Sequence, residues 1–133
     1  MYLVDTSVWV DYLRGNATAQ VRSLKQLLEG TQIVGVAPII LQEILQGADS
    51  DERFEKWRKY FSGLCCYSAG DPVAAHVEAA RIYQSCRRAG KTPRSSNDCL
   101  IARIALEHDL VLLHDDRDFE AIAAVMPGLR LHG

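Results

Sequence analysis

Five short apolar runs, separated by segments of helical periodicity, dictate what this chain can fold into. They are Leu3-Val4, Ile33-Val34-Gly35-Val36, residues 64–67, residues 110–113 and a weaker run at 129–131. Unbroken apolar runs of this length read as strands covered on both faces. Between them, apolar residues recur every three or four positions, as Val21, Leu24, Leu27 and Leu28 do, which is the spacing of a helix with one buried stripe. Strands joined through helices pair in parallel, and a parallel sheet needs helices on each face. The pattern predicts a three-layer α/β/α domain with a parallel sheet of four to five strands. A chain of 133 residues fits a single domain spanning 1–133.

Helix boundaries are legible as well. Residues 8–13 read as helix and end at Gly15, residues 17–29 close at Gly30, and Pro38 opens a helix that Gly47 ends. A charged helix covers 51–61. Asp71-Pro72 is an N-cap followed by proline at the first helical position, starting a helix that runs to Arg88. Residues 91–97 form a loop by composition. An alanine-rich helix covers 98–108, and a short one covers 119–125.

Several function classes drop out. A formal net charge of −2 with 48% hydrophobic residues excludes a disordered tail or a histone-like basic protein. No apolar run approaches the roughly 20 residues of a membrane span. With no charged start and apolar stretch at Met1, the protein is expected in the cytoplasm. The four cysteines lack C-x-x-C spacing and are expected to be reduced, buried thiols. The four histidines are scattered, which argues against zinc.

The acids carry the functional signal. Asp5 terminates the first strand, Asp98 starts a helix after a polar loop, and Asp115, Asp116 and Asp118 follow the run 110–113. Ligand sites of open parallel sheets form at the carboxyl ends of strands, so these groups converge. Glu43 lies mid-helix beside the apolar stripe. Each acid alone has an ordinary role as turn residue, helix cap or solvated charge. Together they would repel one another unless a cation neutralised them, and hard divalent ions such as Mg²⁺ or Mn²⁺ take oxygen ligands of this kind.

The opening Val4-Asp5-Thr6-Ser7-Val8-Trp9-Val10-Asp11-Tyr12-Leu13-Arg14-Gly15 resembles PIN-domain ribonucleases of the VapC toxin type. The blocks around Glu43, Asp98 and Asp116 agree in order and spacing, so the resemblance spans nearly the whole chain. It implies a metal-dependent endoribonuclease whose four acidic positions fall on Asp5, Glu43, Asp98 and Asp116. Asp5, Asp98 and Asp116 would hold Mg²⁺ or Mn²⁺, while Glu43 would bind metal or orient the attacking water. The family's hydroxyl falls on Thr6 or Ser7, with Thr6 favoured to steady Asp5 or a water, and Asp118 is a secondary acid. The resemblance also implies a VapB-type antitoxin that inhibits the toxin, and a homodimer. Trp9, Tyr12 and Leu13 are candidates for the groove or dimer surface.

Phosphodiester cleavage by carboxylate-held metal requires no Ser-His-Asp or Cys-His nucleophile, and the chain offers none. An acidic site acting on RNA needs a basic surround, and Arg87, Arg88, Lys91 and Arg94 directly precede Asp98. A haloacid-dehalogenase-like phosphatase would need an acid where Ser7 stands. A receiver domain would need a lysine where His114 and the acids stand. The remaining alternative is a catalytically inactive PIN-like module that binds protein or RNA.

Overall fold

In the computed structural model, which describes residues 1–132, twelve elements alternate along the chain. They are β1 (Tyr2–Val4), α1 (Thr6–Leu13), α2 (Ala19–Glu29), β2 (Val34–Val36), α3 (Pro38–Gln46) and α4 (Asp51–Ser62). Then follow β3 (Cys65–Cys66), α5 (Pro72–Arg88), α6 (Asn97–Glu107), β4 (Val111–Leu113), α7 (Asp118–Val125) and β5 (Arg130–Leu131). All five strands pair in parallel in the order β3-β2-β1-β4-β5. Leu3 stands opposite Leu112, and Val4 opposite Leu113. Helices α1–α4 pack among themselves, as do α5–α7. The α/β/α layering expected from the apolar runs is therefore present.

The core follows from the strand chemistry. Leu3, Val4, Val36, Leu112 and Leu113 are buried, and fully burying such a side chain is worth about 1.5–3 kcal/mol. At β2 the missing side chain of Gly35 makes room for the Tyr67 ring, whose Cε2 would lie 2.2 Å from an added Cβ. Trp9 packs edge-on against Phe61 with ring centroids 4.9 Å apart.

Three expectations are corrected. Helix α1 begins at Thr6 because the Asp5 carboxylate accepts the Ser7 amide and caps it, two residues earlier than residue 8. Trp9, placed by its sequence context among groove or dimer residues, is fully buried, whereas Tyr12 and Leu13 remain half-buried. Of the cysteines only Cys86 and Cys99 are buried; Cys65 and Cys66 are exposed, because β3 is a two-residue edge strand without a covering layer. All four are free thiols. Among the described residues no helix is long and apolar enough to cross a membrane.

Candidate active site and metal centre

Strands β1 and β4 lie side by side at the middle of the sheet, and the chain departs from them in opposite directions. This reversal opens a crevice at their carboxyl ends. Asp5 follows β1 directly, and residues 115–118 follow β4. The fold alone thus brings two acids 111 positions apart to one crevice.

Asp5 is only 4% exposed. Its Oδ2 accepts the Ser7 amide at 3.0 Å and the Ser7 hydroxyl at 2.6 Å. Burial pushes its pKa above the ordinary value; the Ser7 hydrogen bonds pull it back, and the charge of Glu43 adds a smaller upward push. The Ser7 oxygen also accepts the Asp115 amide at 3.1 Å, tying the end of β1 to the loop after β4. Ser7 therefore performs the Asp5-steadying task that the sequence assigned to Thr6. Thr6 instead donates to Glu43 Oε1 at 2.7 Å. The alternation of the two hydroxyls on α1 decides this, and sequence spacing did not separate them.

Asp98, in the first turn of α6, is 6% exposed, and its Oδ2 has no hydrogen-bond partner among the described residues. Its pKa is pushed up to about 8, chiefly by burial and then by the charges of Asp5, Asp116, Asp118 and Glu43. The dipole of α6, in whose first turn Asp98 sits, favours the ionised form but is the smaller effect. A helix terminus contributes about 0.3–1 kcal/mol. A rise from 3.8 to about 8, at roughly 1.4 kcal/mol per pH unit, is several times larger.

Asp98, Asp116 and Asp118 can each present one oxygen within 4.8 Å of the others. Asp116 Oδ1 accepts the Asp118 amide at 2.9 Å, which aims the loop, and the Asp116 amide donates to His114 Nδ1 at 3.2 Å. The His114 ring rests on buried Phe119, centroids 5.3 Å apart. His114 is the support that sequence reasoning missed, and Ser7 is the less favoured of the two hydroxyls it named. Only its adjacency to the acids in the chain could have signalled His114. Asp118, held as secondary, belongs to the tight group, while Asp5 and Glu43 act from its flank through their charge on Asp98.

An orphaned, buried carboxylate oxygen among acids is a chemical fit for a hard divalent cation, which takes oxygen ligands and removes the repulsion. Of the four basic residues that the sequence assigns to RNA, Arg94 alone reaches the acids of the site among the described residues. Its Nη2 donates to Asp116 Oδ1 at 2.9 Å, and its backbone amide to Asp118 Oδ2 at 2.8 Å. Arg87, Arg88 and Lys91 are exposed at the end of α5 and in the loop beyond it.

The model of the PIN domain family matches residues 2–125. The chain is 39% identical to ribonuclease VapC11 of Mycobacterium tuberculosis, over 94% of this chain and 93% of that one. It is 32% identical to ribonuclease VapC51 of the same species, over 93% and 86%. In fold it is similar to a chain in the crystal structure of VapBC2 from Rickettsia felis bound to a promoter DNA fragment. That match has a TM-score of 0.74 at 19% identity, covering 98% of this chain and 96% of the other. An α/β/α sheet with an acidic crevice at its switch point is the arrangement of a nuclease class. The chain belongs to the PIN domain family, in the company of the VapC ribonucleases.

Proposed function

We propose that the protein is a metal-dependent endoribonuclease, the toxin of a toxin–antitoxin pair, held inactive by a cognate VapB-type antitoxin. The buried, unpartnered Oδ2 of Asp98 carries this reading, because it makes the acidic group a site that calls for a cation. The toxin role draws support from the VapC11 likeness along nearly the whole chain. Asp98, Asp116 and Asp118 would hold Mg²⁺ or Mn²⁺, with Asp5 completing the charge around it. When bound, the ion polarises the phosphodiester and stabilises charge on its oxygens.

The protein groups divide the remaining tasks. Glu43, fixed by Thr6, orients the attacking water. Ser7 holds the Asp5 carboxylate in one orientation. Arg87, Arg88 and Lys91 attract the RNA backbone over the rim of α5. The chain acts as one domain of residues 1–133 in the cytoplasm. It forms a homodimer, for which Val73 and Val77, 74% and 54% exposed one turn apart on α5, offer an apolar strip.

Incubation of the purified protein with RNA, with Mn²⁺ or Mg²⁺ and then with a chelator, tests the reading. Internal cleavage should appear only with metal. Sequencing RNA ends after a brief pulse of expression identifies the target. A metal-saturated protein that binds RNA without cutting it would establish the inactive module instead.

A further inference from the structure

One of the four residues that the sequence assigns to RNA, Arg94, sits on the carboxylates in the structure. The Arg94 guanidinium reaches Asp116 Oδ1 through Nη2 at 2.9 Å and Asp118 Oδ2 through Nε at 3.4 Å. These are two of the three acids that can converge on one ion. The side chain is nonetheless 77% exposed and lines a hollow of about 290 Å³ together with Gln20, His114, Asp115, Arg117 and Glu120.

We infer that Arg94 is the resident counter-ion of the metal site, and that a divalent cation must displace its guanidinium from Asp116 and Asp118 to bind. The geometry permits this without moving the backbone. Asp118 Oδ2 accepts the Arg94 main-chain amide at 2.8 Å, so the loop stays anchored while the side chain swings. Exposed ion pairs are weak, so the exchange is reversible and sets a threshold for occupancy by the cation. Asp98 Oδ2 keeps its lone pairs free throughout, because no residue of the described chain reaches it. Displacement also releases Arg94 for the phosphate contact. The inference rests on reading Asp98, Asp116 and Asp118 as a cation site.

Calorimetric titration of the full chain with Mn²⁺ at low ionic strength, comparing wild type, R94Q, R94K and D98N, tests it. R94Q should bind Mn²⁺ about three- to tenfold more tightly than wild type. R94K, which keeps the charge but loses the planar two-point contact, should fall between them. In wild type the Arg94 Nε–Hε resonance should shift on Mn²⁺-free titration with Mg²⁺, which needs no variant at all. Unchanged affinity in R94Q, or an R94K identical to wild type, overturns the displacement model while D98N still separates binding from non-binding. A wild-type chain that takes up neither ion overturns the displacement model and the metal reading beneath it.

Discussion

The Thr6 hydroxyl donates to Glu43 Oε1 at 2.7 Å, joining the first turn of α1 to the middle of α3 across 37 residues. One oxygen of Glu43 is thereby fixed, and the rotation of the carboxylate about its last bond is restricted. On the proposal that Glu43 orients the attacking water, this bond would serve the reaction geometry more than stability, since a group that orients a water must itself be oriented.

Thr6→Val keeps the shape of the side chain and removes the donor. Such a half-buried hydrogen bond contributes about 0.5–1.5 kcal/mol to folding, which thermal melting should register. The cleavage rate should fall by about tenfold to a hundredfold, with KM for RNA little changed, since misplacing a catalytic group is costly. Thr6→Ser restores the donor and should restore most of the rate. A Thr6→Val protein that cuts RNA at the wild-type rate would remove Glu43 orientation from the mechanism.

Asp98 makes a pH prediction for the metal-free protein. Its folded pKa is raised to about 8 from an ordinary 3.8, so between these values the folded state retains a proton that the unfolded state has lost. Stability is therefore full below about pH 4, declines as pH rises, and levels off above about 8, with a slope of at most about 1.4 kcal/mol per pH unit. Asp98→Asn should flatten that decline and raise the metal-free melting temperature at pH 8, while cleavage falls by orders of magnitude. Melting curves from pH 4 to 9 with chelator present, for both proteins, decide it. A wild-type protein whose stability rises over that interval contradicts the assignment.

The order of strands and helices was readable from the sequence because burial on both faces forces unbroken apolar runs, as in residues 110–113. The ends of elements were less so. Residues 64 and 67 are apolar for reasons other than pairing: Leu64 is half-buried beyond α4, and Tyr67 covers Gly35. Asp5, Asp98 and Asp116 could be picked out because each sits at a strand end or helix start, whereas Glu43, in mid-helix, stood out only by its place beside the apolar stripe and by the family resemblance. Their ranking could not be read, since it depends on distances across the sheet. Asp118 moved into the tight group, and Asp5 to its flank, for this reason. Ser7 and Thr6 are adjacent in sequence, and only the turn of α1 separates their partners.

Gly35 offers a test that leaves the acids untouched. An alanine methyl there would meet Tyr67 Cε2 at 2.2 Å and the Cys65 carbonyl oxygen at 3.0 Å. The ring must move, and the β2–β3 contact with it. Gly35→Ala should cost about 1–3 kcal/mol, the usual range for overpacking. Activity per folded molecule should be little affected, because the added methyl meets Tyr67 and Cys65, on the β3 side of β2 and away from β1. Adding Tyr67→Ala should make the alanine less costly, which a double-mutant cycle by denaturant unfolding measures.

Asp118 and Asp5 are the pair on which the metal centre is most sharply judged. Asp118 lies within the group whose oxygens approach to 4.8 Å, and Asp5 does not. Asn at either position preserves the hydrogen bonds to the Arg94 amide or to Ser7 through its remaining oxygen, so charge is the main change. Asp118→Asn should weaken Mn²⁺ binding by about tenfold or more, as loss of a charged oxygen ligand does. Asp5→Asn should weaken it less, yet reduce cleavage strongly, since Asp5 is near enough to Asp98 for its charge to be felt there, where the phosphodiester would be polarised. Calorimetry gives the affinities and RNA cleavage at saturating metal gives the rates. If Asp118→Asn retains wild-type affinity while Asp5→Asn loses it, the ion is held between Asp5 and Asp98 instead, on the β1 side of the crevice.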